Sequence, residues 1–279
     1  MPLNKSTGNM YDFITHTWNT VKGECPHGCS YCYMRRWGKQ PPLHFDETEL
    51  KTDLGKDNFI FVGSSCDMFA ESILYEWIIK TLDHWVQYPE NNYFLQTKTP
   101  DRFSSFLNEL KPNFSICTTL ETNRNYGAIM NNCPSPEDRA LAFSWIHNCK
   151  KYITVEPVLA FDLPEFVSLI KECRPVQVNI GADSSPKRNM LPEPPKEKIL
   201  DLIDEPQYKP FESVDKAMEA LRAHGAWVEH KSLVSRLLIV GMDDDGCYLG
   251  DADYYSFEVL FQDFVFADDG SPCGESVKD

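Results

Sequence analysis

The chain has 279 residues, 42% of them hydrophobic and 13% aromatic, with ten cysteines and a formal net charge of −15. That is enough apolar material for one large α/β domain or two small ones, in a chain too long and too poor in cysteine for a secreted disulfide scaffold. No window approaches the roughly 18 consecutive apolar residues of a membrane span, and the start, MPLNKSTGNMYDF, has no apolar leader, so the sequence predicts a soluble, cytoplasmic protein with no membrane partner.

The charge is unevenly spread. From Gly241 onward eleven acidic residues face the single base Lys278, so the tail carries −10 and the first 240 residues only −5. A nearly balanced body neither demands nor excludes a polyanionic substrate, since binding nucleic acid depends on where Lys and Arg gather.

In chain order, FITHTWNTV (13–21) reads as a first strand, and it runs into NTVKGECPHGCSYCYMRRWG (19–38). Cys25, Cys29 and Cys32 stand there at C-x3-C-x2-C spacing, close enough for three thiolates to surround one soft metal centre. A structural zinc site would want a fourth ligand at a paired spacing. None of the other seven cysteines forms a C-x2-C pair, His27 sits too close inside the loop, and His16, His44, His84, His147, His224 and His230 show no paired pattern. An iron-sulfur cubane usually takes four cysteines. Three would leave one iron open, as an open position marks a catalytic metal. Arg35 and Arg36 could bind a phosphate beside the loop, although exposed arginines on a short helix are ordinarily just solvated.

Strand-like runs then recur: NFIFVGSS (58–65), NNYFLQTK (91–98), NFSICTTLE (113–121), KYITVEPV (151–158) and VQVNIGAD (176–183). Between them lie apolar stripes at helical spacing, Leu74, Trp77, Ile78, Leu82 and Trp85, then Phe103, Phe106, Leu107 and Leu110, then Leu163, Phe166, Val167 and Ile170. Pro100, Pro136 and Pro164 fall where a first helical turn tolerates proline. Repeated βα units argue for a parallel sheet, either doubly wound or a full or partial barrel. In both, chemistry collects at the carboxyl ends of the strands. That rule picks out Ser64, Ser65, Cys66, Asp67, Thr97, Lys98, Thr119, Glu121, Glu156, Asn179 and Asp183, together with the cysteine loop.

After a Pro-rich connector (187–198), a helix around 212–224 leads to AWVEHK (226–231) and to a hairpin over 236–251 with its turn at Asp244–Gly246. YYSFEVLFQDFVF (254–266) should pack, and 267–279 should be disordered. Two regions are expected, 1–231 and an acidic-aromatic extension, 232–279.

CPHGCSYC, with an aromatic before its last cysteine, resembles the signature of radical S-adenosylmethionine (radical SAM) enzymes. FVGSSCDMFAES, YFLQTKTPDRF, CTTLETNRN, YITVEPVLAFDL and VNIGADSS look, in order, like strand-end motifs of a radical SAM family found in phages and mobile elements, and more distantly like spore photoproduct lyase. The likeness runs from about Tyr11 to Lys231. It implies a partial parallel (βα)6 TIM-like barrel with C-terminal additions. It also implies that Cys25, Cys29 and Cys32 hold a 4Fe-4S cluster whose open iron binds S-adenosylmethionine. One electron, from a donor such as flavodoxin or ferredoxin, then yields a 5′-deoxyadenosyl radical that abstracts hydrogen from the substrate.

By the same resemblance, Tyr31 lies against the adenine and Lys98 pairs with the methionine carboxylate. Asp67, Glu121 and Glu156 are candidates for its ammonium or the ribose hydroxyls. The second strand ends in VGSS rather than the superfamily's Gly-Gly-Glu, so Ser64 and Ser65 would supply those polar contacts. Cys66 could return a hydrogen atom to a product radical, or be an ordinary core thiol. Glu156 could instead cap the next helix, and Glu121 could simply pair with Arg124. Cys117, Cys133, Cys149, Cys173, Cys247 and Cys273 are too scattered for an auxiliary cluster. The leading substrate is a nucleobase or nucleoside, such as a hypermodified base of phage DNA. The alternatives are a peptide or small metabolite, or a non-catalytic three-cysteine metal protein.

Overall fold

The computed structural model describes residues 3–6, 11–106, 113–147, 149–203, 207–209, 217–221, 227–230, 236–242, 246–249, 254–266, 273 and 275–277. The chain divides into two compact units, Met1–Leu202 and Ile203–Asp279.

The first unit is built on a seven-stranded sheet. Its strands are β1 (Asn4–Lys5), β2 (His16–Trp18), β5 (Phe59–Val62), β6 (Asn92–Thr97), β7 (Phe114–Thr119), β8 (Lys150–Val155) and β9 (Gln177–Ile180), with a small hairpin of β3 (Val21–Lys22) and β4 (His44–Phe45) between β2 and β5. β1 pairs antiparallel with β2, and all the pairs from β2 to β9 are parallel. Strand order in space follows chain order without a reversal. A doubly wound sheet reverses at its switch point, so this winding is the one compatible with a partial TIM-like barrel. Among the described residues the ladder is open, ending at β9.

Alternation along each strand separates two cores. Ile60, Val62, Tyr93, Leu95, Ile116, Ile153 and Val155 face one way and join α1 (Tyr75–Trp85), α3 (Pro136–Ser144) and α4 (Leu163–Glu172) through Ile78, Leu82, Trp85, Ala140, Phe143, Phe166 and Ile170. Phe61, Phe94 and Cys117 face the other way and meet Tyr11, Ile14, Phe13, Phe59 and Tyr152. Their rings interlock, Tyr11 and Phe94 with centroids 4.7 Å apart and Phe13 and Phe59 5.0 Å apart. Because side chains repeat every second residue, positions continuing that inner face past the strand ends are Lys98 after Phe94 and Gln96, Glu121 after Cys117 and Thr119, and Glu156 after Tyr152 and Thr154. The aromatic cluster is thus a floor, and two carboxylates and an ammonium stand above it.

Helix starts follow the prolines: Pro136 lies in the first turn of α3 behind the Ser135 cap, and Pro164 in that of α4. Two expectations change. Leu74 is the exposed N-cap of α1 and not part of its buried stripe. Pro100–Phe106 is a 3-10 helix that buries Phe103 and Phe106, with Leu107 and Leu110 outside the described residues.

The second unit carries a five-stranded antiparallel sheet and a small core of Ala217, Ile239, Cys247, Phe257, Leu260, Phe264 and Cys273. The hairpin pairs Arg236–Met242 with Gly246–Leu249, while 243–245 of its turn lie outside the described residues, as do 212–216 and 222–224 of the expected helix. The aromatic segment packs, with Phe257 and Leu260 buried on the helix Phe257–Asp263. Most of 267–279 is outside the described residues, but Glu275–Val277 is not disordered: it pairs with Gln207–Lys209. Among the described residues no helix is long and apolar enough to cross a membrane.

Candidate functional site

The cysteine loop leaves β3 and returns through β4, so it hangs at the carboxyl end of β2. Gly28, between Cys25 and Cys29, has φ +62°, and a Cβ there would stand 2.9 Å from the Asn131 amide nitrogen. That closeness reflects a clamp. Ser30 N–H donates to the Ile129 carbonyl at 3.0 Å, and Asn132 N–H to that of His27 at 3.1 Å. The side-chain amides of Asn131 and Asn132 donate to the carbonyls of Gly28 and Pro26 at 3.2 and 3.1 Å.

All ten cysteines are free thiols. Cys29 is buried, and Cys25 and Cys32 are half-buried. The sequence misses their neighbours. Cys133, expected to be remote, places its Sγ 3.4 Å from that of Cys29. A hydrogen bond from Cys133 outweighs burial and brings Cys29 down to about 6; Cys66 does the same for Cys25, to about 7. Cys66 and Cys133, as the proton-bearing partners and by burial, are pushed up. The sulfurs therefore favour thiolate at two of the three loop positions.

Asp67 is a pin between loop and sheet. It accepts from His27 Nε2 at 2.8 Å, Thr97 Oγ1 at 2.9 Å, Lys98 N–H at 2.8 Å and Phe69 N–H at 3.0 Å. Burial opposes charge on His27, but the Asp67 hydrogen bond and charge outweigh it and raise the imidazole to about 9. Ser64 and Ser65 serve the same junction. Ser64 Oγ and Ser65 N–H both donate to Asn19 Oδ1, at 3.2 and 3.0 Å, and the Ser64 carbonyl accepts from Tyr33 OH at 2.6 Å.

At the end of β7, Glu121 is wholly buried. It accepts from Lys98 Nζ at 2.8 Å, from the Arg139 guanidinium at 2.8 Å, and from Tyr31 OH. Burial alone would raise its pKa, but the two cations hold its carboxyl far below the usual range. Lys98 Nζ also lies 5.4 Å from the centre of the Tyr31 ring. Two cations against one carboxylate leave one surplus positive charge. Glu121 does not pair with Arg124, which instead binds Asp162 at 2.5 and 2.8 Å near the surface. Arg139 went unnoticed in the sequence. Its signal was Pro136, Arg139, Ala140 and Phe143, the buried stripe of α3 with a guanidinium in its middle.

Glu156 ends β8 differently. Its half-buried carboxyl lies over Gly181, where a Cβ would come within 2.5 Å of Oε2. No hydrogen bond or ion pair engages it among the described residues, and burial raises its pKa. It caps no helix, since α4 begins behind Asp162. Nearby in sequence, Asp183 Oδ1 accepts from Ser185 N–H and the Asn189 amide, leaving Oδ2 buried and unpartnered.

Among the described residues no group of three or more His, Cys, Asp or Glu closes around a single metal ion. A cubane spreads its ligands more widely than one ion does. The donor set is soft sulfur, and His27 spends Nε2 on Asp67, so the loop offers thiolates in place of imidazole and fits a thiolate-held cluster.

Structural neighbours are spore photoproduct lyases. One variant has a TM-score of 0.50 at 12% identity, covering 79% of this chain and 74% of that one. Another, with bound AdoMet and dinucleoside spore photoproduct, has a TM-score of 0.44 at 12% identity and covers 62% of this chain. A third, complexed with dinucleoside spore photoproduct, has a TM-score of 0.44 at 12% identity and covers 61% of this chain. The chain spans 56% and 53% of the length of the latter two. At this identity the first of these likenesses, with its TM-score of 0.50, shows a common fold alone. A search of curated proteins by sequence gave no match. The sequence over residues 9–171, which holds the cysteine loop and both strand-end carboxylates, matches one family model, and the chain belongs to that family, described as "Protein of unknown function (DUF5131)".

Proposed function

We propose that the protein is a radical SAM enzyme whose substrate is a nucleobase or nucleoside. One observation carries the reading: a three-thiol loop at the carboxyl ends of a sequentially wound parallel sheet faces a buried charge node with a surplus cation. Cys25, Cys29 and Cys32 would hold a 4Fe-4S cluster through their sulfurs. Cluster and S-adenosylmethionine together would supply one-electron reductive cleavage and hydrogen abstraction from a substrate C–H bond, with an external donor such as flavodoxin or ferredoxin providing the electron.

The chain's own residues bind and orient. S-adenosylmethionine presents a carboxylate, an ammonium and ribose hydroxyls. Lys98, 15% exposed and held by Glu121 against the Tyr31 face, meets the carboxylate. Glu156, whose carboxylate is engaged by no other side chain among the described residues, accepts from the ammonium or a ribose hydroxyl. Glu121, Asp67, Ser64 and Ser65 act at one remove: Glu121 holds Lys98 and Tyr31, and the other three fix the loop against the strand ends. Cys66, hydrogen-bonded to Cys25, favours the thiolate of that loop residue. The aromatic floor below excludes water and stray hydrogen donors from the recess.

Anaerobic reconstitution tests the reading. It expects about four irons per chain and 5′-deoxyadenosine on reduction with S-adenosylmethionine. Cys29→Ala should lose the iron and Cys133→Ala should keep it. Zinc alone in the purified protein, with no cleavage after reconstitution, would overturn the proposal and leave a structural metal protein.

A further inference from the structure

Immediately after Cys32 the chain turns outward into a short 3-10 helix, Tyr33–Trp37, which buries none of its residues and ends at Gly38. Trp37 is 61% exposed and Tyr33 38%. The Arg36 guanidinium lies 4.4 Å from the centre of the Trp37 ring and 5.5 Å from that of Tyr33. Arg35, Arg36 and Lys39 are exposed, and between Cys25 and Phe45 there is no carboxylate in a chain of net charge −15. The segment is anchored to the site, because Tyr33 OH donates to the Ser64 carbonyl at the end of β5.

An exposed tryptophan costs solvation unless something covers it, and three cations that meet no carboxylate among the described residues attract an anion. A chain of phosphates carrying open base faces satisfies both, the base stacking on the ring and the phosphates meeting the guanidinium and ammonium groups. A duplex keeps its base faces closed, and a base must leave the stack to reach a recess at strand ends. The acidic remainder of the chain keeps such binding local.

We propose that Tyr33–Lys39 is a docking surface for single-stranded DNA beside the cysteine loop, with one base on Trp37 and phosphates on Arg35, Arg36 and Lys39. This rests on the nucleobase reading of the site and narrows it to a base within a polynucleotide.

The test uses the full chain, reconstituted anaerobically, and a fluorescein-labelled oligothymidylate of about ten nucleotides, followed by anisotropy between about 50 and 200 mM salt. Three phosphate contacts predict a log–log salt slope of about −2 for a single strand. Exchange of Arg35 and Arg36 together for Ala should reduce it to about −0.7. Trp37→Ala should weaken binding roughly 5- to 100-fold and leave the slope unchanged. Trp145→Ala, which removes a 68% exposed tryptophan elsewhere, should change neither. Absence of binding, equal binding by Trp37→Ala, an equal loss in Trp145→Ala, or tighter binding of duplex or of the corresponding RNA would each overturn the proposal. Cleavage of S-adenosylmethionine without oligonucleotide binding would sink this surface and leave the radical reading. Binding without cleavage would do the reverse.

Discussion

Glu121 and Glu156 end neighbouring parallel strands on the same face, yet among the described residues one is bound on every side and the other has no hydrogen bond or ion pair. Glu121 has two cations and a phenol, and its charge is fixed by the protein. Among the described residues Glu156 has a glycine beneath it and no ion pair, with Lys98 acting on it only from a distance. A carboxylate already saturated by side chains positions its neighbours, whereas one left half-buried and unpaired has a vacancy for a ligand's donor. On the proposed reading the first belongs to architecture and the second to binding.

Exchanging Arg139 for Met tests the first half most severely. It leaves Glu121 buried with half its compensation and should cost about 3–5 kcal/mol in urea unfolding. A cost near zero would mean the node is not the fixed structure described. Next in size is Gly181→Ala, whose Cβ has no room beside the Glu156 carboxyl. Overpacking there should cost about 1–3 kcal/mol, and less in a Glu156→Ala background. Equal costs in both backgrounds would separate Gly181 from Glu156.

The smallest effect is that of pH on Glu156→Gln. Burial raises the folded pKa of Glu156 above its ordinary value, so the folded chain prefers the neutral form. Below the unfolded value, about 4.3, the group is neutral in both states and the variant matches wild type. As pH rises from there through the folded value, wild type loses stability relative to the glutamine variant, and the gap is constant beyond. The opposite slope would show that Glu156 has found a cation.

The strands were legible in the sequence because β-branched and aromatic runs alternate between two apolar faces, as at Phe59–Val62 and Lys150–Val155. The first parallel strand was legible from local spacing only in part: of 13–21 just His16–Trp18 joins the sheet, and the short β1 before it was not read. What spacing could not show was anything joined across the sheet. Cys133 meets Cys29 over a separation of 104 residues, and Arg139 reaches Glu121 through a helix whose sequence, PEDRALAF, is polar enough to pass for surface. Arg124 drew the eye as the nearer cation, but five residues past the end of β7 the chain has already turned away, toward Asp162. Local pattern fixes the ends of strands, and tertiary contact decides which of those ends share a proton.

The clamp on the cysteine loop bears on how the protein matures. In a zinc finger the ligands are gathered only by the metal, so the apo chain is unfolded. Here four hydrogen bonds from the segment Ile129–Asn132, two of them from side-chain amides, hold the backbone between Pro26 and Ser30 without any help from sulfur. The conformational entropy of that turn is spent when the sheet forms. A cluster of the proposed kind would then dock late into a folded receptor, and stripping its iron should leave the wall around the loop standing.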